Sequence, residues 1–561
     1  MAENKNSKSL REITDERRQR WEFMRTTRRG HETTWQEIYD LMWPFRGDIT
    51  TIRSEGADRI FSLHDTTAAT AAQSFMNFMM AMVFPSNADW MRLLDGEDDP
   101  RVMVLLDDAT QDMLRMAADS NFYVEMAQAM FDYILIGNAA FTGQEKAPKL
   151  QNDPSNTFGG MFFKGVPMWD VWWTFGEDGD TETMVRRYRM HAVDAYRFFG
   201  GEPGPETKRK LTDEGTMSEV CYLQFVYPNE NWIPGGLRAK TGKRWVSEFF
   251  EVASNDEFQL VRLGGFDIDP FVGARWHVVG GETYGRGRGH DARPDAKTIN
   301  ELTRQTLNAA NWALDPPLIT LDDSTLQFDA GPGGEIVMRD SAAFVPRALQ
   351  LESDFNAAQL IRDYEQNQIR NIFLSDVVQP PDTQPRSAQA VLEQRAQRFL
   401  SIAVSANNML NNLMRPTVRM MGETMRSAGA LPQLDEVEKV TGEPYEFRVQ
   451  FLAPLFTAQK ELIRAKMNGY VREKIEIAGL AQDGRYAERL NPDAIAKKDA
   501  ELADVPAEIF YSDEELEQIR AEKRALQQQL LEAQQAQQAA ETGKTVSEAQ
   551  RNRAEAAPSI P

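Results

Sequence analysis

The segment YGRGRGHDARPDAKTINELTRQTLNAANWALDPPL, residues 284–318, joins a glycine- and arginine-rich turn to a helix that stops at two prolines. Small and apolar residues recur after the turn at the spacing of one helix face, which predicts a helix over residues 291–314. Pro294 is expected in its first turn, where a missing N–H costs nothing, and Asp315 followed by two prolines should end it. The residues that carry this spacing are Ala296, Ile299, Leu302, Thr306, Ala309, Ala310 and Ala313.

The turn would bind a nucleotide phosphate only if it matched a phosphate-binding pattern. A P-loop needs G-x-x-x-x-G-K-[ST], but Gly285 is followed by Arg286 and Gly287, so the lysine and the hydroxyl are both missing. A dinucleotide fingerprint needs a glycine where His290 stands, and no βαβ pattern precedes it. We therefore interpret the segment as a sharp turn between domains, where glycine permits the bend.

The composition limits the class of protein. The chain has 561 residues, a net charge of -22 and an isoelectric point of about 4.9, so it holds more than one module and lacks the basic footprint of a general nucleic-acid binder. With Cys221 as its one cysteine it forms no intrachain disulfide, which favours a reducing compartment. We expect no signal peptide and no membrane association, because the most apolar run, residues 75–84, is too short to span a bilayer.

The first part of the chain is predicted to be helical. Helices are expected over residues 8–43, from Asp65 to the residue before Pro85, over 100–119 and over 122–137. The first helix is the most basic part of the protein, but acidic residues alternate with its arginines, which favours a solvated helix face. Its arginines are Arg11, Arg17, Arg18, Arg20, Arg25, Arg28 and Arg29.

The middle of the chain changes character. Between residues 140 and 280, short alternating or aromatic runs separated by Gly, Pro, Asn and Asp predict an antiparallel β-rich region. Short strands around the turn AGPGGE follow over 318–346, and then a helix over 348–373. A proline-rich loop leads to a long helix over 387–428, which Pro416 should kink. The fold class is therefore α+β and mainly helical.

The last part returns to helices. The segment YEFRVQFLAP predicts a strand, followed by helices over 457–478 and from 491 onwards. From Asp513 a low-complexity helix keeps an interrupted three-four spacing, which indicates either a coiled coil or helical barrel, or a lone solvated helix. Residues 541–561 are expected to be disordered.

No recognisable catalytic pattern is present in the sequence. None of the five histidines pairs with another histidine or a cysteine at zinc-ligand spacing, and there is no G-x-S-x-G motif. Cys221 lies in a hydrophobic strand pattern, which favours a buried structural cysteine. We expect no enzymatic activity and no cofactor or metal, although a metal site made from paired carboxylates stays open.

The order of the segments resembles the head-to-tail connecting, or portal, proteins of short-tailed bacteriophages. The resemblance covers about residues 10–525 and departs from the family at the glutamine-rich extension. The segments that carry it, besides residues 284–318, are WQEIYDLMWPFRG, DTTAATAAQSFMNFMMAMVFPSNADWMRL, LIGNAAF, PRSAQAVLEQRAQRF and VPAEIFYSDEELEQIRAEKR.

The resemblance implies a ring of subunits, usually twelve, at one vertex of the capsid. Double-stranded DNA would pass through it without sequence specificity during packaging and ejection. The implied partners are the terminase large subunit, tail adaptor and tail tube proteins, the major capsid and scaffold proteins, and internal core proteins. The protein would be assembled in the host cytoplasm and carried in the virion.

The resemblance also implies a division into named domains. The wing would cover residues 1–290, the two stem helices 291–314 and 348–373, and the clip 315–347. A tunnel loop would cover 374–386, and the long helix with its return to the wing would cover 387–490. Crown and C-terminal helices would cover 491–540.

The predicted tunnel loop suits a conduit for DNA. Residues 371–385 contain no Lys or Arg, and basic contacts to phosphate would bind DNA instead of letting it slide. The alternative interpretation is that these residues form an ordinary surface loop of the same composition. The residues predicted to line the tunnel are Asp376, Val377, Val378, Gln379, Pro380, Pro381, Asp382 and Arg386.

Three arginines at the entry to the first stem helix are predicted to join subunits. In an acidic ring, Arg286, Arg288 and Arg293 would pair with carboxylates of a neighbouring copy and reduce repulsion. Two other classes of protein stay open: a non-enzymatic scaffold or internal head assembly protein, and an enzyme with an unrecognised metal site.

Overall fold

A computed structural model of the chain describes most of its residues. The described residues are 10–51, 53–54, 56–94, 100–146, 158–177, 179, 181–213, 215–230, 232, 242–253, 256–316, 318–321, 329, 331–338, 347–348, 355–375, 403–481, 490–502 and 516–529. The chain divides into two compact units, Met1–Leu462 and Ile463–Pro561.

The helices agree closely with the sequence predictions. They are α1 Leu10–Met42, α2 Thr67–Val83, α3 Pro100–Asp119, α4 Phe122–Leu135, α5 Ala192–Phe198, α6 Pro205–Asp213, α7 Arg288–Leu314, α8 Phe355–Ile372, α9 Ala403–Met409, α10 Arg415–Ser427, α11 Pro432–Thr441, α12 Pro454–Ala481 and α13 Pro492–Leu502. Residues 516–529 are also helical. The N-cap of α2 is Thr66, one residue after the predicted Asp65, although the Asp65 carboxylate accepts the Thr67 N–H at 2.8 Å. The short helices α5 and α6, and α11, were not predicted. The predicted start of α8 at residue 348 is wrong, because the helix begins at Phe355 and Ala348 lies in a strand that pairs with Leu318.

The strands confirm the β-rich middle. They are β1 Met91–Leu94, β2 Asn138–Glu145, β3 Met161–Val166, β4 Val171–Phe175, β5 Thr181–His191, β6 Glu219–Pro228, β7 Trp245–Val252, β8 Phe258–Phe266, β9 Phe271–Arg275, β10 Leu318–Leu321, β11 Glu335–Met338, β12 Arg347–Ala348 and β13 Arg448–Phe451. β4 to β8 form an antiparallel five-stranded sheet in chain order, and β3-β2-β9 form a second antiparallel sheet. β1 pairs with the distant β13. β10 pairs in parallel with β11 and antiparallel with β12. The fold is therefore mixed α and β.

Helix α1 is held to the five-stranded sheet by two buried arginines, so the prediction of a solvated basic face is wrong at these positions. Arg17 donates to Glu248 at 2.7 Å and to the Tyr227 hydroxyl at 2.6 Å. Arg28 donates to the carbonyls of Met168 and Val171 at 2.9 and 2.6 Å. Charges taken out of water are tolerated where such partners exist. The pattern of alternating charges could not show which arginines face the sheet.

A buried ion pair joins the end of α1 to α4. Asp132, on α4, is fully buried. Its carboxylate accepts the Tyr39 hydroxyl at 2.7 Å and two nitrogens of Arg46 at 3.0 and 2.7 Å. Burial lowers the pKa of Arg46, but the charge of Asp132 outweighs it and the net shift is upward. Because every member has a partner, the cluster fixes the chain that follows α1 against the core.

Helices α7 and α8 neighbour each other and form a hairpin whose base alone is packed into the core. On α7 the buried residues are Gly289, Ala292, Ala296 and Ile299, and no residue from 300 to 314 is buried. On α8, Ile369 is the one buried residue within 356–372. The last 15 residues of α7 therefore extend about 22 Å with little cover from their own chain.

The predicted kink at Pro416 takes the form of a π-helical turn. Leu410–Met414 are π-helical between α9 and α10, and the Arg415 N–H bonds the Leu410 carbonyl, five residues back. Proline has no N–H and its ring crowds the carbonyl four residues earlier, and the wider turn relieves this. Residues 387–402 of the predicted long helix lie outside the described residues.

The second unit contains α13 and the larger part of α12. Asp499 accepts two nitrogens of Arg464 at 2.8 and 3.0 Å and the Asn468 amide at 3.1 Å. Asp493 pairs with Arg520 of the helical residues 516–529. Exposed ion pairs of this kind contribute little free energy, so they add little to the stability of this unit.

Replacing Asp132 with Asn should destabilise the first unit strongly. The substitution leaves the Arg46 guanidinium buried without a countercharge, and breaking such a pair costs about 3–5 kcal/mol of unfolding free energy. Urea denaturation followed by tryptophan fluorescence measures the loss. Glu22→Gln is the matched control, because its pair with Arg18 is exposed and should change stability by less than about 1 kcal/mol. Equal midpoints for the two variants would contradict the assignment.

Candidate functional site

The glycine-rich segment before α7 packs backbone against backbone on the end of α4. Gly137 has a φ of 76°, in the left-handed region that favours glycine. A Cβ placed on it would lie 2.3 Å from the carbonyl carbon of Arg286, and a Cβ on Gly287 would lie 2.4 Å from the Ile134 carbonyl oxygen. The glycines therefore serve close chain approach. We call this contact, between residues 134–138 and 285–289, the joint.

One buried amide side chain ties the joint together. The Asn138 amide donates to the Ile136 carbonyl at 2.8 Å and to the Gly285 carbonyl at 3.0 Å, and its oxygen accepts the Gly285 N–H at 2.8 Å. The Trp276 N–H donates to the Gly137 carbonyl at 2.9 Å. The segments LIGNAAF and YGRGRG, far apart in the sequence, thus form a single site.

Aromatic rings fill the side of the joint that faces α1. The buried Tyr284 ring lies 5.2 Å from Trp35 in an edge-on arrangement and 5.7 Å from Trp173 in a stacked one, measured between centroids. His31 stands 5.5 Å from the same ring. These rings come from three separate segments, so sequence spacing held no signal for the cluster. Their packing connects α1, β4 and the segment before α7.

Helix α7 begins at Arg288, earlier than the predicted 291, so Pro294 lies inside the helix and the first-turn prediction is wrong. Gly287 is extended, with φ of -102° and ψ of 179°, and its N–H donates to Nδ1 of His290 at 3.3 Å. Burial, together with the charges of Arg286 and Arg293, lowers the pKa of His290 to about 4. The imidazole is therefore neutral at pH 7 and able to accept this hydrogen bond.

Two of the three arginines predicted to join subunits have carboxylate partners in their own chain. Arg286 donates to Glu282 at 3.0 and 2.5 Å, and this pairing lowers the pKa of Glu282. Arg293 lies 3.1 Å from a carboxylate oxygen of Glu37 on α1, and Lys297 lies 3.0 Å from the same oxygen. Arg293 therefore fastens α7 to α1.

Arg288 differs from the other two arginines. Its Nε is buried and has no hydrogen-bond partner among the described residues. Burial lowers its pKa, and only the nearby charge of Asp291 acts in the opposite direction. Within the part of the chain that the structure describes, Arg288 is thus the member of the predicted set that lacks an ion-pair partner.

The predicted tunnel residues, Asp376 to Asp382 and Arg386, lie outside the described residues. The described segment that precedes them ends at Leu374 and Ser375, directly after Phe373, which packs against Phe75 of α2.

The described residues offer no metal centre, since they contain no group of three or more His, Cys, Asp or Glu placed to hold an ion. Among the described helices, none is both long and apolar enough to cross a membrane. Burial raises the pKa of the Cys221 thiol, which makes it a weak nucleophile.

Replacing Gly287 with Ala should loosen the joint. The new methyl group would meet the backbone oxygen of Ile134, which cannot rotate away as a side chain would. Overpacking of this kind costs about 1–3 kcal/mol and should lower the melting temperature in a thermal scan. Gly280→Ala is the control, since nothing lies within 4 Å of the position that its new methyl group would occupy. A melting temperature equal to that of the control would show that the joint tolerates a side chain.

Similarity to known proteins extends over nearly the whole chain. The family described as "Bacteriophage head to tail connecting protein" matches residues 14–510. The "Probable portal protein" of Bordetella phage BPP-1 is 22% identical over 523 residues, covering 91% of each chain. The "Portal protein" of Salmonella phage epsilon15 is 22% identical over 571 residues, covering 98% of this chain and 97% of the relative. The match extends over both the joint and the α7–α8 hairpin, and the chain belongs to the bacteriophage head to tail connecting protein family.

Proposed function

We propose that this protein is the portal, or head-to-tail connector, of a tailed bacteriophage. Its copies form a ring at one capsid vertex, and double-stranded DNA enters and leaves the head through the ring. The family match over nearly the whole chain and the names of the two relatives support this role. The role is structural, with no chemical step assigned to any residue. The family match favours this role over the alternative of a scaffold or internal head assembly protein.

The observation that carries ring assembly is the uncovered α7–α8 hairpin. Large apolar side chains stand in solvent along it: Leu314 is 84% exposed, Leu360 72% and Tyr364 61%. Leu307 and Ile361 are about half exposed. Contiguous apolar side chains of this size mark an interaction surface. Identical hairpins standing side by side around an axis would cover one another, and a repeated heterologous contact that closes gives a ring.

The domain assignments belong to the same proposal. Residues 291–314 and 348–373 would be the stem, with 315–347 as the clip at its tip and 374–386 as the tunnel loop at its base. The wing would cover 1–290, and 387–490 would return to it. Residues 491–540 would form the crown, and 541–561 a disordered tail. A ring of twelve is the number that the family resemblance implies.

Charge suits the passage of DNA. The net charge of -22 per chain disfavours tight binding to phosphate, and the proposed tunnel loop adds Asp376 and Asp382 without a lysine. The DNA would be held only loosely and without sequence preference.

Protein partners would contact the outer surfaces of the ring. They are the terminase motor, the tail adaptor and tail tube proteins, the capsid and scaffold proteins, and the internal core proteins. Arg288 is the remaining candidate for an ion pair between neighbouring subunits.

The double substitution Leu360→Ser with Tyr364→Ser should weaken ring formation. Both side chains are exposed in the single chain, so the fold should survive while apolar area between subunits is lost. We expect at least a tenfold rise in the subunit concentration needed for rings, measured by mass photometry and electron micrographs. Gln359→Ser, on the same helix, is the control. Normal rings from the double variant would refute the hairpin interface, and a monomeric wild-type protein would refute the portal itself.

Replacing Asp376 and Asp382 together with Lys should slow DNA passage. Each new lysine would bind phosphate, and because such contacts release counterions, the slowing should shrink as salt is raised from 50 to 200 mM. Packaging into purified heads, followed by nuclease protection, measures the rate. The pair Asp376→Asn and Asp382→Asn removes the same charges without adding basic ones and should package normally. Equal rates for the lysine and asparagine variants would exclude this loop from the channel wall.

A further inference from the structure

A second site lies in the β-rich region, far in sequence from the hairpin. A cavity of about 540 Å³ opens between the five-stranded sheet and the sheet β3-β2-β9. We call it the sheet groove. Its described lining includes the cationic residues Lys164, Arg186 and Arg262 but no Asp or Glu. In a chain with 85 acidic and 63 basic residues, a groove lined in this way would favour a negatively charged ligand.

Arg186 is the decisive residue of the sheet groove. It is 91% buried, since 9% of its surface is exposed, and it sits in the middle of β5. The residues directly opposite it on the neighbouring strands are Val171 and Gln224, neither of which is charged. Its guanidinium carbon lies 4.3 Å from the centroid of the Tyr188 ring. No described carboxylate forms a salt bridge with it. A buried cation normally has an anionic partner, and no described residue supplies one to Arg186.

The polar side chains at the floor of the groove are bonded to one another. The Tyr188 hydroxyl donates to the Gln224 side-chain oxygen at 2.8 Å, and the Gln224 amide donates to the Ser247 hydroxyl at 3.0 Å. These three side chains are linked across three strands, and none of them carries a charge. A carboxylate needs only the guanidinium.

Aromatic rings form the walls. Phe198 lies 5.7 Å from Phe249 and 6.1 Å from Tyr188 between ring centroids, and Phe162 lines the opposite side. Phe162 and Phe198 remain about half exposed. A small inorganic anion would neutralise Arg186 but would leave both rings in water. Aromatic residues and arginine together are the composition that marks the energetic centre of protein interfaces.

We propose that the sheet groove binds an acidic peptide segment of a protein partner. An Asp or Glu of that segment would pair with Arg186, and an adjacent aromatic or aliphatic side chain would pack between Phe162 and Phe198. Lys164 and Arg262, both exposed at the edge of the groove, would attract the segment over a longer range. The proposal concerns a surface away from the hairpin and does not depend on the portal assignment.

The test uses the full chain and the labelled peptide Gly-Ser-Asp-Phe-Glu-Leu-Gly-Ser in fluorescence anisotropy. We expect binding that weakens at least tenfold with Arg186→Gln, with an otherwise identical peptide carrying Asn and Gln, and with a peptide in which Phe and Leu are Ser. Arg189→Gln is the matched control, since it removes the same charge from an exposed site on the same strand and should bind normally. No binding at 1 mM peptide, or equal binding by Arg186→Gln, would overturn the proposal.

Thermal unfolding and oligomeric state provide independent readouts. Arg186→Gln removes a buried charge but also its contact with the Tyr188 ring, so the melting temperature should change little. A large fall in melting temperature would mean that the arginine is needed for the fold, which would overturn the proposal. If Arg186→Gln instead prevented self-association while peptide binding was absent, the groove would be filled by another copy of this chain and the partner segment would be excluded. If Arg186→Gln forms normal rings, the peptide-binding measurement alone decides the proposal, whether or not the portal assignment holds.

Discussion

The close backbone contact at the joint is the constraint on which the hairpin depends. Gly287 approaches the Ile134 carbonyl so closely that no side chain fits between them. The Asn138 side chain forms hydrogen bonds to both chain segments of the contact, at Ile136 and at Gly285. Helix α7 leaves this point in a direction set by backbone atoms, which are stiffer than side chains. A protruding hairpin needs such a base, because a small angular error at the joint would be magnified along its length. Arg293 on Glu37 adds a second attachment to α1.

Charged groups fall into two classes in this chain. Arg17, Arg28 and the pair of Arg46 with Asp132 are buried with partners, and they hold segments of the same chain together. Arg186 is buried and has no carboxylate partner among the described residues. The Nε of Arg288 is also buried, and no described residue accepts a hydrogen bond from it. The first class stabilises a fold at the cost of desolvation. Cations of the second class are those for which another molecule would supply the anion, as we propose for the sheet groove.

Much of the fold could be predicted from local patterns. The bounds of α1, α3 and α4 followed from periodicity and caps, and aromatic runs located the strands of the five-stranded sheet. What could not be predicted is pairing over long distances. The approach of LIGNAAF to YGRGRG leaves no periodic signal, and neither does the pairing of β1 with β13. The burial of Arg28 within a charge-rich helix was missed for the same reason, because its partners are backbone carbonyls that carry no sequence signature.

The exposed hairpin also explains how so acidic a subunit can assemble. Copies that each carry a charge of -22 repel one another, and this repulsion weakens only where salt screens it or where the contact is apolar. Apolar burial is independent of charge and contributes about 25 cal/mol per Å². In the proposed ring, uncharged, solvent-facing side chains such as Leu314 and Leu360 would therefore provide the attraction between subunits. In the proposed ring, apolar contacts would close the interface without cancelling the negative charge of the inner surface that DNA passes. Assembly would then depend on the apolar side chains of the hairpin, and DNA passage on the charge of the chain.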